Sequence, residues 1–380
     1  MPEHDLILHG GHVIDPAQGI DGAMDVAFCD GAVSAVAPSL ETSRAAAAED
    51  VSGCIVTPGL IDLHTHVYWG GTSLGVDAED YCRASAVTTT VDTGSVGPGN
   101  FAGFRAHVID RVAPRVLVYL HVSHAGIYAF SDRVMVGESE EMRLMDPLTA
   151  IEVARANPDL VIGIKVRLGR WTSGDHGIAP LHYAEQVAGA CGLPMMVHID
   201  DPPPSYDEVC ARLRPGDVLT HCFRPFPNTP LNGDGTVRAA VLEARERGVI
   251  FDIGHGFGSF SFEVARNMAK NGFWPDTISS DVHQLCINGP AFDLVTTMSK
   301  FLDLGLPLPE IIRAATQTPA RAVRRPELGS LAAGTVGDAS ILRIEQGRFG
   351  FTDTVGDSIE AGARIAPVGT ILKGALWHRT

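Results

Sequence analysis

The chain of 380 residues has no uninterrupted apolar run of the roughly 18 residues that a membrane-spanning helix needs, which excludes such a span. Cations are scarce. Against 45 Asp and Glu stand only 29 Lys and Arg, a formal net charge of −16. That surplus argues against nucleic acid and anionic membrane surfaces as partners. It leaves a small-molecule substrate open, because the field such a ligand meets is set by a few residues or by metals. There is no CxxC pair, and the seven cysteines are odd in number and scattered, which argues against a disulfide framework. Cys222 directly follows His221, but a packed strand thiol is the expectation there rather than a nucleophile. The opening stretch MPEHDLILHGGHVID lacks the basic start and apolar run of a signal peptide, so a cytoplasmic protein is expected. Low-complexity tracts and short tandem repeats are also missing.

What is present falls into two patterns. Residues 5–55 and the final 50 or so alternate short β-like runs with Gly and Asp turns, and read as pieces of one small β domain. The long middle alternates short apolar strands with Ala-rich helical stretches that end near a glycine, as in LHYAEQVAGACG and VRAAVLEARERG. Eight strand candidates can be named there: 54–64, 87–95, 115–123, 160–166, 194–200, 217–222, 249–255 and 277–283. Eight strands with helices between them close most naturally into an α/β (β/α)8 TIM barrel. The expected organisation is residues 1–55 and 329–380 forming a small β-sandwich domain, with the barrel over 56–328.

Chemistry in such barrels sits at the C-terminal strand ends. Reading those ends gives His64 and His66 on the first strand, Lys165 on the fourth, His198 on the fifth, His221 on the sixth and Asp281 on the eighth. Side chains alternate along a strand, so His64 and His66 share a face and can reach one ion together. Neutral imidazoles with a carboxylate suit zinc or a similar divalent metal. Four histidines are generous for one catalytic ion that keeps a position open. They suit two ions about 3.5–4 Å apart. Two such cations need an anionic bridge. A free ammonium at Lys165 would repel them, whereas a lysine carboxylated by CO2 would present two anionic oxygens. Taken singly, an HxH pair, a strand-end lysine or a histidine after an apolar run is more often structural. The joint pattern carries the metal-site reading.

These residues resemble the amidohydrolase superfamily, in its dihydroorotase-like branch. GLIDLHTH is similar to the family's PGxIDxHxH opening, and VTTTVDTGSVG, GIKVRLG, TISSDVH and NGPAFDLVTTMSKFL resemble its amidohydrolase/deacetylase metallohydrolases. The resemblance covers nearly the whole chain. It implies two Zn2+ ions, with His64, His66 and Asp281 on the more buried one, His198 and His221 on the more exposed one, and carboxylated Lys165 bridging them. It also implies hydrolysis of an N-acyl or O-acyl group, an acetyl group first of all, from an α-substituted carboxylic acid. One departure stands out. Dihydroorotases carry an arginine two residues after the second histidine, where this chain has Tyr68.

The expected mechanism is attack of a metal-acidified hydroxide on the carbonyl, with Asp281 as ligand and proton shuttle. Tyr128, His283, His255 and backbone groups at Gly289 are candidates for binding substrate. His121 and His124 are alternatives of similar weight. Arg167 and Arg170 follow the bridging lysine, and each is read either as a carboxylate anchor or as half of a surface salt bridge. The competing readings are a cyclic amidase of hydantoinase or dihydroorotase type and a non-catalytic scaffold on the same fold. The scaffold is disfavoured because all six ligand positions are filled. A homo-oligomer is compatible with all three readings.

Overall fold

The computed structural model describes residues 2–379. Two sheets organise it. The first is an eight-stranded mixed sheet made from both ends of the chain: β1 (His4–Asp15), β2 (Ile20–Cys29), β3 (Ala32–Ala37), β4 (Ala45–Asp50) and β5 (Ile55–Pro58), joined by three strands near the C-terminus described below. The second is a parallel seven-stranded sheet in strict sequence order: β6 (Leu60–Thr65), β7 (Val87–Thr93), β8 (Arg115–His121), β9 (Val161–Leu168), β10 (Met195–Ile199), β11 (Val218–Leu219) and β12 (Ile250–Phe251). The chain then returns to the mixed sheet with β13 (Ala339–Thr352), β14 (Ser358–Leu372) and β15 (Ala375–Arg379).

The parallel strands are buried along almost their whole length, and their β-branched composition follows from being covered on both faces. The edges β6 and β12 do not stay open. Segment 277–283 bridges both of them, through Asp252 with Thr277 and Thr65 with Val282, so the sheet curls into a barrel. This eighth position is not a regular strand. β11 and β12 are only two residues long each. The cause is local. His221 (φ 65°), Asp281 (φ 50°), Gly254 (φ 48°) and Gly256 (φ 55°) all take left-handed backbone, which breaks a ladder while turning side chains inward.

The expected strand 54–64 divides in two at Gly59. β5 pairs with β1 and β13 in the mixed sheet, and β6 opens the barrel. A Cβ at Gly59 would clash with Thr88, so only glycine lets the chain cross here from one sheet to the other. Hydrogen bonds connect the mixed sheet throughout, in the order β15–β14–β13–β5–β1–β2–β3 with β4 on β1. It branches at β1, whose register shifts between Leu8 and Gly11, so that the first part of the strand pairs with β4 and the later part with β5. Among the described residues no helix is long and apolar enough to cross a membrane.

Candidate active site

The C-terminal ends of the barrel strands open into a cavity of about 390 Å³. His64, His66, His198, His221 and Asp281 line its floor, with Lys165 fully buried behind them. His64 Nε2 and His66 Nε2 lie 3.2 and 3.1 Å from the same oxygen of Asp281. Lys165 Nζ is 3.4 Å from His64 Nε2. The His198 and His221 rings meet edge to face at 4.4 Å, and His221 is 5.1 Å from His64. Six side chains from five strand ends, His64 and His66 sharing the first, therefore converge on one place.

Their outer contacts decide which nitrogen faces inward. His64 Nδ1 pairs with Thr220 Oγ1 at 2.7 Å, and that hydroxyl donates to Asp252 at 2.8 Å. His66 Nδ1 pairs with Ser95 Oγ at 2.9 Å. His221 Nδ1 donates to the Gly254 carbonyl at 2.7 Å. With Nδ1 engaged outside, Nε2 is left as a lone-pair donor toward the centre. Burial holds the four histidines well below the usual imidazole range, which keeps them neutral. Burial also pushes Asp281 up to about 6 and Lys165 down to about 7. His198 Nε2 is buried without a hydrogen-bond partner. Neutral imidazoles, a carboxylate and an orphaned buried nitrogen are a donor set that fits divalent metal, and His64, His66 and Asp281 are spaced to share one ion.

Around this floor the walls are mixed. Arg167 lies two residues beyond Lys165 on β9, so it shares the inward face and reaches the cavity. It is buried, not a surface group. Its Nε and Nη2 donate to both oxygens of Glu138 at 2.8 and 2.7 Å. Burial alone would raise the Glu138 carboxyl, but the Arg167 guanidinium holds it well below the usual carboxylate range. His121 Nδ1 accepts from the Ser123 backbone, and its Nε2 lies 3.0 Å from Glu138. Arg224, three residues after His221, also lines the cavity and pairs with Asp201 at 3.1 Å. Leu74, Phe130, Met135, Trp171, Phe226 and Phe257 supply the apolar surface.

The remaining candidates separate. His283 lines the cavity. Its Nδ1 accepts from the Leu285 backbone at 3.2 Å, which leaves Nε2–H as a donor, and burial pushes the ring down to about 4. His255 is fully buried and lies outside the cavity lining, as does Gly289. The Tyr128 side chain is largely exposed and does not line the cavity. Phe130, two residues on in the same loop, does. Tyr68 is buried against Phe104, away from the lining residues. His124 is half exposed beside Asp146, and Arg170 donates weakly to the Pro202 carbonyl at 3.4 Å. Cys222 is a buried strand thiol pushed well up by burial. Arg224 and Glu138 went unnoticed in the sequence. The run HCFR signals the first. The second sits in an irregular loop with no spacing to mark it.

No family model matches the chain. It is 34% identical over 328 residues to a deacetylase of Brucella anthropi, covering 86% of this chain and 81% of that protein. It is 32% identical to a deacetylase of Enterococcus faecalis, covering 99% of each. Among solved structures it resembles one titled an adenine deaminase, with TM-score 0.92 and 30% identity over 99% of this chain and 100% of that one. It also resembles one titled a dihydroorotase, with TM-score 0.89 and 30% identity over 99% and 98%.

Proposed function

The chain belongs to the amidohydrolase superfamily, and we propose that this metal-dependent hydrolase removes an acyl group, acetyl first of all, from an N-acyl or O-acyl α-substituted carboxylic acid. The observation that carries the reading is Arg167, a buried guanidinium that lines the same cavity as the His64–His66–Asp281 cluster. Its Nε and Nη2 are engaged by Glu138, and among the described residues Nη1 has no hydrogen-bond partner. A substrate carboxylate can take that free edge while its neighbouring acyl carbonyl lies over the floor. The relatives named deacetylases support the same class.

In this reading His64, His66 and Asp281 hold one divalent ion and His198 and His221 a second, with Lys165 carboxylated between them. Zinc suits the donor set. Bound metal supplies a water acidified to near-neutral pKa and a Lewis acid for the carbonyl. The protein's own groups do the rest. Asp281 takes a proton at its carboxylate and returns it to the departing nitrogen or oxygen. His283 offers its Nε2–H to the oxygen on which charge develops. Thr220 and Asp252 keep His64 in the tautomer the site needs. The near-neutral Lys165 amine is the form that reacts with CO2.

A screen of purified enzyme against N-acetyl amino acids, O-acetyl hydroxy acids, dihydroorotate, hydantoins and adenine tests this. Acetylated acids should be the best substrates by kcat/KM, and their amide or ester analogues without the carboxylate should be poor. A cyclic amide turned over with higher kcat/KM than every acetylated acid would replace the proposal with a cyclic amidase. Adenine turned over best would replace it with a deaminase.

A further inference from the structure

Lys300 lies on the helix Leu294–Asp303, within the stretch NGPAFDLVTTMSKFL, and its side chain is fully buried. A buried lysine is costly unless its ammonium is fully engaged. This one has three partners. Nζ lies 2.6 Å from His255 Nε2 and donates to the carbonyls of Pro290 at 2.9 Å and Thr352 at 2.8 Å. His255 Nδ1 is 3.0 Å from the Gly256 carbonyl. That contact requires Nδ1–H and leaves Nε2 as acceptor, matching the lysine as donor. The imidazole is further held by stacking on Phe260 at 4.7 Å.

The segment this pair anchors is the wall of the metal centre. Gly254 presents its carbonyl to His221 Nδ1. A Cβ at Gly254 would come within 2.9 Å of the Nδ1 atoms of both His64 and His221. A Cβ at Gly256 would collide with the Asp281 carboxylate. Both glycines have left-handed backbone, a conformation that costs glycine nothing and fixes nothing by itself. Something else must hold the segment. Backbone bonds from His255 to Ser279 at 3.3 Å and from Gly256 to Ser280 at 2.9 Å hold one side. The side chain of His255, gripped by Lys300, holds the other.

We propose that Lys300 is a positioning residue for the catalytic centre: through His255 it fixes the Gly254–Gly256 segment, and with it the orientation of His221 and the placement of Asp281. The same ammonium ties in the mixed sheet, since Thr352 ends β13. Next to it, the Phe262 backbone donates to Asp353 at 2.9 Å, and Thr354 bonds Phe260 at 2.7 Å. The tip of the β13–β14 hairpin thus grips the loop whose residues Phe257, Gly258 and Ser259 line the cavity. This inference rests on the reading of His221 and Asp281 as metal ligands. It does not depend on which substrate is cleaved.

The test is metal affinity, measured by chelator competition on refolded or isolated protein, together with thermal midpoint and the kcat and KM of whichever substrate the screen selects. Loss of an outer contact to a metal ligand costs about 10- to 100-fold in affinity or activity. Lys300→Met and His255→Phe should each weaken zinc binding by about tenfold and lower kcat with KM little changed. His255→Gln, which can still accept from Lys300 and donate to the Gly256 carbonyl, should retain both. The double variant Lys300→Met/His255→Phe removes both polar partners together. It should recover the thermal midpoint lost in the single variants without recovering zinc affinity. A double variant with wild-type affinity and kcat would make the pair merely structural and overturn the proposal. So would a folded Lys300→Met protein with affinity within twofold of wild type. Failure of the acyl-hydrolase reading would leave the affinity result intact, so the two can fail separately.

Discussion

The floor and the rim of the cavity are built differently. On the floor His64, His66, Lys165, His198, His221 and Asp281 are buried or nearly so, and His64, His66 and His221 each have a second bond that orients the ring. At the rim Met135, Trp171, Phe226 and Phe257 come from four different loops and are 51, 66, 52 and 50% exposed. The floor is set by strand ends, whose positions the barrel fixes. The rim is set by loops, which can change without disturbing the barrel. In the proposed reading the floor sets the class of reaction and the rim the choice of substrate. Solved structures titled an adenine deaminase and a dihydroorotase share this fold with the chain, each at 30% identity.

Removing a floor residue should cost most. Lys165→Ala should lose both metal and activity, with partial recovery on adding short carboxylic acids that can occupy the bridging place. Metal content by elemental analysis and turnover check this, and intact values for both would end the bridging role. Reconstitution also has a predicted pH dependence. CO2 reacts only with the neutral amine, and burial pushes Lys165 from the ordinary lysine range down to about 7. Metal-free protein given Zn2+ and a fixed concentration of dissolved CO2 should regain activity faster as pH rises through about 7 and slower below it. A rate flat from pH 6 to 8 contradicts the assignment.

Asp281→Asn comes next. The amide keeps the shape of the carboxylate but cannot take a proton. General acid–base catalysis contributes roughly 10²- to 10⁴-fold, so kcat should fall by about that much while KM moves little. Near-normal turnover would remove Asp281 from proton transfer.

The same contrast explains what could be read in the sequence. His64, His66, Lys165 and Asp281 announce themselves because residue type, strand-end position and two-residue spacing coincide. The structure gathers all four at the floor. The parallel strand order is equally legible, since each strand carries its own apolar run. The shortening of β11 and β12 is not, because it comes from left-handed backbone at His221 and Asp281, which no propensity for histidine or aspartate announces. Nor is the role of His255. An imidazole at a strand end reads as cavity-facing, and only the arrival of Lys300, 45 residues later, turns it away. Glu138 is hidden for a similar reason: its partner Arg167 lies 29 residues downstream.

The wall between floor and rim should show an intermediate effect. Arg167→Met removes the free Nη1 edge and should raise KM for a carboxylate substrate with little change in kcat. Hydrogen bonds to charged groups are worth about 1.5–3 kcal/mol, or roughly 10- to 100-fold in KM. The single variant also strands the buried Glu138 carboxylate, which destabilises the fold on its own account. Arg167→Met/Glu138→Gln removes that complication. If its KM is unchanged for the acid substrate, Arg167 is not the carboxylate anchor.

The smallest effect belongs to the rim. Trp171 follows β9 in sequence, lines the cavity while largely exposed, and donates from Nε1 to Asp201 at 3.2 Å. Trp171→Ala should leave folding unaffected within about 0.5 kcal/mol, because little of the ring is buried in the free protein. Contact with an aromatic face is worth about 0.5–1.5 kcal/mol, so KM should rise roughly two- to tenfold for a substrate with a large apolar side group. For the smallest acetylated acid, which does not reach the rim, kcat and KM should both stay near wild type. The informative quantity is the ratio of kcat/KM for the large and small substrates. A fall in that ratio with kcat for the small substrate unchanged assigns Trp171 to substrate choice alone. A parallel loss for both substrates means that the rim also supports the floor, which would dissolve the division: the Trp171 backbone donates to Asp200 at 3.1 Å, and Asp200 lies 3.6 Å from His198.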